Sequence, residues 1–233
     1  MKLGALISGG KDSLYAMYKA KEEGHKIVCL ITIESINKAS WMFHTPNTHL
    51  TEIQSKSLGI PLIKIKTKGE KETELKDLKE AITQAIEKYN VEGIVCGALY
   101  SKYQWERVDK ICGDLEINAL CPLWHTNQEQ LLHDLLKAKF EIIISSIACD
   151  GLNKTFLGRK FDEDLIKELV KLNKKIGINV AGEGGEYESF VLDMPLFKKR
   201  IKIEKAKIIM ESENTGIYNI EKVKLVDKKS QIK

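Results

Sequence analysis

Arginine is scarce: Arg107, Arg159 and Arg200 are the only three among 37 basic residues. The positive charge is therefore almost all lysine, and the net charge is a mild +4. Lysines spread along helices form solvated faces, not a stripe that tracks a nucleic-acid backbone, so no stable nucleic-acid binding is expected. Paired cysteines are missing too. Cys29, Cys96, Cys112, Cys121 and Cys149 are scattered without a C-x-x-C pair, which argues against a zinc ribbon or a disulfide framework. Buried or idle thiols in a reducing cytoplasm are the plain reading. No segment approaches the roughly 20 consecutive apolar residues of a membrane span. Lys2 to Ile7 is too short an apolar run for a signal peptide and leads straight into a glycine loop. A cytoplasmic chain with no membrane partner is the expectation. Internal repeats and low-complexity linkers are absent as well.

What remains is enough for one large domain or two modest ones: 233 residues, 43% of them hydrophobic. Leu3 to Ser8 reads as a buried strand, Asp12 to Gly24 as a helix, and Ile27 to Ile33 as a second buried strand. Thr48 to Leu58 predicts a helix, Leu62 to Lys66 a strand, Lys71 to Tyr89 a long amphipathic helix, and Val91 to Cys96 a strand. This alternation predicts an α/β fold, a doubly wound parallel sheet of Rossmann-like type, with ligands at the carboxyl edge of the strands. The second half changes character. Helices at Lys102 to Leu115, Gln128 to Lys139 and Asp162 to Lys174 surround a strand at Glu141 to Ile147. Arg200 to Val226 reads as two strands joined at Asn214-Thr215-Gly216. A smaller C-terminal α+β region is expected, with a boundary near Leu120 to Pro122.

The first strand runs into Ser8-Gly9-Gly10-Lys11-Asp12-Ser13 and then a helix. Gly9 and Gly10 permit a tight turn and close approach to a ligand. Free N–H groups at the helix start attract anions. Lys11 adds a point charge, Ser8 and Ser13 add hydroxyl donors, and Asp12 suits either a helix cap or Mg²⁺ on phosphate oxygens. The loop is not the G-x-x-x-x-G-K-[ST] phosphate loop, nor G-x-G-x-x-G. An ordinary glycine-rich turn is the alternative reading. The six residues resemble the phosphate loop of the ATP-pyrophosphatase (PP-loop) family, whose fold is of the HUP type. That resemblance implies ATP bound by residues 1–121, with 122–233 as the substrate-binding region.

Four further segments narrow the resemblance: Glu34-Ser35 through Trp41-Met42-Phe43-His44; Gly97-Ala98-Leu99-Tyr100-Ser101-Lys102-Tyr103-Gln104 leading to Arg107; Cys121-Pro122-Leu123-Trp124; and Gly182-Glu183-Gly184-Gly185-Glu186-Tyr187-Glu188-Ser189. Together they resemble the diphthine–ammonia ligase family over nearly the whole chain, in its short archaeal-type form without the long C-terminal extension of eukaryotic relatives. The resemblance implies an AMP-forming acid–ammonia ligase. It would amidate diphthine on translation elongation factor 2 through an acyl-adenylate, with ATP, Mg²⁺ and ammonia, and release pyrophosphate. No room for a glutaminase domain is evident, so ammonia arrives free or from another protein. Trp105 and His125 depart from the pattern, each standing where a basic residue is common.

The candidate residues follow. Lys11, Asp12 and Glu186 are the catalytic candidates. Ser8, Gly9, Gly10, Lys11, Asp12 and Ser13 would hold the phosphates, and Asp12 the metal. Backbone groups at Ile31, Thr32 and Gly97 would hold adenine. His44, Tyr103, Gln104, Arg107, Gly184, Gly185, Glu186 and Glu188 would meet the acceptor. Tyr103, Gln104 and Arg107 share one edge of a helix; an exposed polar face with a surface ion pair is the alternative. Glu183, Glu186 and Glu188 repel one another unless a cation shares the site. Mg²⁺, ammonium, or a trimethylammonium group beside Tyr187 would serve; a solvated acidic turn is the alternative. A tRNA-modifying ATP pyrophosphatase of thiolase or lysidine-synthetase type, or a non-catalytic nucleotide-binding module, would share the loop. A homodimer is left open.

Overall fold

The computed structural model describes residues 1–35 and 47–228, with only the backbone at 71 and 72. His44 and the Trp41-Met42-Phe43 run before it lie outside the described residues. The chain divides into two units, one of Met1–Ser55 with Ile60–His125, the other of Lys56–Gly59 with Thr126–Lys233.

In the first unit β1 (Lys2–Leu6), α1 (Lys11–Glu22), β2 (Lys26–Ser35), α2 (Thr51–Leu58), β3 (Leu62–Thr67), α3 (Lys71–Tyr89), β4 (Gly93–Val95), α4 (Lys102–Asp114) and β5 (Asn118–Leu120) alternate. The strands lie in the order β3-β2-β1-β4-β5, and every pairing is parallel. The inner strands are apolar through their middles, as strands covered on both faces are; Leu3, Ala5, Leu30, Ile31 and Ile94 are fully buried. Leu78, Ala81, Ile82 and Ala85, spaced for one helical face, bury α3. This is the doubly wound parallel sheet expected. Its strand order reverses between β1 and β4, which opens a crevice outside their carboxyl ends.

The second unit holds α5 (Gln128–Lys137), β6 (Glu141–Ala148), α6 (Glu163–Ile176), β7 (Tyr187–Asp193), β8 (Arg200–Met210) and β9 (Thr215–Val226). Its sheet runs β7-β6-β9-β8 and is antiparallel throughout. Asn127 and Asp162 cap α5 and α6, accepting from Gln130 N and Leu165 N. Gly177, at φ 78°, closes α6. The α5 and α6 helices pack together through the stripes Leu131, Leu132, Leu135 and Leu165, Ile166, Leu169. Two strands were not expected. The edge strand β5 has one exposed and two half-buried residues and leaves no periodicity. The strand β7 lies inside the segment read as an acidic loop. No helix among the described residues is long and apolar enough to cross a membrane.

Candidate active site

The turn from β1 leads into the N-terminus of α1. Gly10 stands at the N-cap without a capping side chain, so the first helical N–H groups have no side-chain partner from that position. Gly9 takes φ 92°, a conformation glycine adopts without strain. The two serines brace the turn. Ser8 N donates to Ser13 Oγ at 3.3 Å, the two hydroxyls lie 3.4 Å apart, and Ser13 Oγ donates to Gly10 O at 3.2 Å. Lys11 is 3% exposed and its Nζ donates to Asp12 Oδ2 at 2.9 Å. The other oxygen, Asp12 Oδ1, is buried and has no hydrogen-bond partner among the described residues. A buried carboxylate oxygen left unpaired is costly, and a metal ion shared with phosphate would satisfy it. The donor set thus fits a polyphosphate with Mg²⁺.

Gly97, at the end of β4, packs against the same turn. A Cβ there would stand 2.6 Å from the main-chain carbon of Asp12 and the nitrogen of Ser13. Two elements distant in sequence therefore meet at the switch point. Ile31 and Thr32, expected to offer backbone groups to adenine, lie within β2. Both are buried; Ile31 O accepts from Ile7 N at 2.9 Å, and Thr32 Oγ1 donates to Ile7 O at 2.9 Å. These bonds tie β2 to the end of β1 beside the phosphate turn.

Beyond Gly97, Ser101 caps α4, accepting from Gln104 N at 3.3 Å. Arg107 lies flat on Tyr103, its guanidinium carbon 3.4 Å from the ring centroid, and donates from Nη1 to Tyr103 O. Among the described residues its buried Nε has no hydrogen-bond partner and it makes no ion pair. The two departures from the family pattern sit together. Trp105 lies 6.1 Å from Trp124, which lies 4.9 Å from His125, which lies 5.3 Å from Tyr100, all measured between ring centroids. Cys121, at the same end of the sheet, donates to Ala98 O at 3.0 Å. Side-chain hydrogen bonding with Cys121 lowers the pKa of Cys96 against the upward pull of burial.

In the second unit the acidic loop is tied to itself. Glu186 Oε1 accepts from Asn179 N and Asn179 Nδ2, both at 2.7 Å, and Oε2 accepts from Gly184 N at 2.8 Å. Gly182 and Gly185 take positive φ. A Cβ on Gly184 would stand 2.8 Å from Glu186 Oε1, so the loop has closed around this carboxylate. Glu186 thus holds the loop, which corrects the expectation that its charge faces a substrate. Tyr187 is also withdrawn from solvent: it is 1% exposed, donates to Val180 O at 2.7 Å and packs on Phe161. It is a core residue and no wall for a cation. Glu183 and Glu188 are half-buried. Sequence reading missed Gln54, whose Nε2 donates to Gly9 O at 3.1 Å. Its signal was a polar residue at every third position, Thr48, Thr51, Gln54 and Ser57, where an apolar stripe belongs.

An anion cradle at the switch point of a doubly wound sheet defines a phosphate-binding α/β protein. Residues 1–119 match the family described as Diphthamide synthase N-terminal domain, and residues 127–226 its C-terminal domain. A diphthine–ammonia ligase of Rattus norvegicus is 37% identical, over 91% of this chain and 86% of its own length. That of Homo sapiens is 35% identical with the same coverage. That of Saccharomyces cerevisiae is 30% identical over 85% of this chain and 34% of its own length, so the extra length belongs to the yeast protein and not to the mammalian ones. The chain belongs to the diphthamide synthase family. A solved structure from Methanocaldococcus jannaschii, described as a predicted subunit of tRNA methyltransferase, aligns with a TM-score of 0.42 at 19% identity over 84% of this chain and 98% of that one; a likeness so loose says nothing of function.

Proposed function

We propose that this chain amidates the carboxylate of diphthine on translation elongation factor 2 in the cytoplasm, with ATP, Mg²⁺ and ammonia. The observation that carries the proposal is the Ser8–Ser13 turn, with an uncapped helix start and an unpaired, buried Asp12 Oδ1. In this reading residues 1–121 bind the nucleotide and 122–233 help receive the acceptor protein.

A carboxylate has no leaving group that ammonia can displace. ATP supplies one by adenylation, with pyrophosphate and then AMP released. The chain's part is positioning and charge stabilisation. The helix N–H groups, the Ser8 and Ser13 hydroxyls and the Lys11 ammonium would hold the phosphates, and the ammonium would offset charge gathering on the departing pyrophosphate. Asp12 Oδ1 would take Mg²⁺. The Arg107 guanidinium, held by the Tyr103 ring, would meet the acceptor or its carboxylate with Gln104 beside it. The loop of Gly184 and Gly185, kept in shape by Glu186, would bring Glu188 to the acceptor.

The test is incubation with ATP, ammonium and elongation factor 2 carrying diphthine. AMP and pyrophosphate should form in step with a one-unit mass decrease of the factor, as –OH becomes –NH₂. Nucleotide cleavage without that mass change, or no cleavage at all, would refute the proposal.

A further inference from the structure

Helix α2 buries a polar face. Thr48 in the turn before it, then Thr51, Gln54 and Ser57, recur at intervals of three, and all four are buried. A helix packed on a sheet ordinarily turns Leu, Ile or Val inward at such positions. Buried polar groups are costly unless they are bonded, so what these side chains bond to is informative. Thr51 Oγ1 donates to Thr48 O at 2.9 Å and braces the helix entry. Gln54, wholly buried, reaches back 45 residues to donate to Gly9 O at 3.1 Å.

That carbonyl belongs to the residue with φ 92° in the phosphate turn. In a trans peptide the C=O and the following N–H point in opposite directions. A donor that fixes Gly9 O toward α2 therefore turns the Gly10 N–H away from α2 and into the turn, where Ser8 Oγ lies 3.4 Å from it. Glycine pairs are the most freely rotating part of such a loop. An amide clamp on their shared peptide restricts that freedom before a ligand arrives, and an anion then pays less ordering entropy on binding.

We propose that Gln54 is a positioning residue for the nucleotide phosphates. It touches no phosphate itself; it holds the Gly9–Gly10 peptide in the orientation that receives them. This rests on the reading of Ser8–Ser13 as the ATP loop. An amide clamp suits the task because Gln54 donates without adding charge, whereas a carboxylate there would repel phosphate.

The test is calorimetric titration of adenosine, AMP and ATP into the wild-type chain, Gln54→Met, Gln54→Glu and Lys11→Ala. Gln54→Met keeps the shape and removes the donor. It should weaken ATP about three- to tenfold, the span of one net hydrogen bond, and leave adenosine within about twofold. Gln54→Glu should weaken ATP further and spare adenosine likewise. Unchanged ATP affinity in Gln54→Met, or equal losses of adenosine and ATP, overturns the proposal; the second result is what a purely structural residue gives. A loss in Lys11→Ala with none in Gln54→Met sinks Gln54 alone. Unchanged ATP affinity in both sinks the loop reading and Gln54 with it. A second measurement needs no variant: ATP should slow hydrogen exchange at residues 9–13 and at 51–55 together in the unaltered chain, and protection of 9–13 alone overturns the proposal.

Discussion

Gly97 lies so close to α1 that a Cβ on it would stand 2.6 Å from the main-chain nitrogen of Ser13. The obstacle is backbone, not the far end of a flexible side chain, so neither partner yields without moving the phosphate turn. Gly97→Ala should cost about 1–3 kcal/mol by overpacking. It should also lower ATP affinity at least about tenfold. The check is a thermal melt beside an ATP titration. A variant that binds ATP normally would show that the contact between β4 and α1 does not set the site.

Lys11 is nearly fully buried against Asp12, with Nζ 2.9 Å from Oδ2. A surface lysine at a turn is ordinarily replaceable at little cost in stability. Burial changes that. Lys11→Met removes the charge and leaves Asp12 without its partner in a place where its other oxygen is already unpaired. Breaking a buried pair from one side is destabilising by about 3–5 kcal/mol when burial is complete, and Asp12 keeps some exposure, so a loss of about 1–3 kcal/mol is expected. Turnover should vanish. Lys11→Met with Asp12→Asn should recover part of the stability and none of the turnover, read by denaturant melts and AMP release.

How much was legible follows from how local each signal is. The parallel sheet announced itself because its inner strands are buried on both faces and read as nearly continuous apolar runs, as in Ile27–Ile33, where Thr32 alone is polar. The phosphate turn was legible because its six residues are contiguous. The strand β7 was not, since the acidic residues before and within it masked the buried Tyr187, Phe190 and Val191. The polar face of α2 carried a signal for Gln54, but its partner did not: Gly9 is 45 positions away, and no spacing rule links them. The role of Glu186 was misread because a cluster of carboxylates suggests a field facing outward, whereas its oxygens turn inward to backbone N–H groups. Burial and direction are properties of the fold, not of the motif.

The thiols give a pH test. Burial pushes Cys29 and Cys112 each to about 12. The thiolate is the reactive form, so at pH 8 only about one thiol in ten thousand is available at either site. Native protein treated with iodoacetamide should stay unmodified at Cys29 and Cys112 and react at both once unfolded, read by peptide mass. The linkage has a definite sign. The folded chain holds these protons more tightly than the unfolded one, whose thiols ionise near 9. Their contribution to stability is whole below about pH 9 and declines as pH rises toward 12. Rapid native labelling of either at pH 8 would contradict this.

Glu186→Gln tests the acidic loop. The native carboxylate accepts three hydrogen bonds, from Asn179 N, Asn179 Nδ2 and Gly184 N. A carboxylate offers acceptors on both oxygens; a side-chain amide offers one oxygen and an –NH₂. Whichever way the glutamine amide turns, its –NH₂ faces a donor, and at least one backbone N–H loses its acceptor. That should cost about 1–3 kcal/mol and loosen residues 179–185, seen as faster hydrogen exchange there. Amide formation should fall at least tenfold, about 1.4 kcal/mol of transition-state stabilisation, because the loop no longer presents a fixed surface to the acceptor. ATP affinity should stay within about twofold, since the phosphate turn lies in the other unit. The combination is diagnostic. Lost amidation with unchanged exchange in residues 179–185 would mean that the Glu186 charge acts on a substrate directly and that its bonds to Asn179 and Gly184 are incidental.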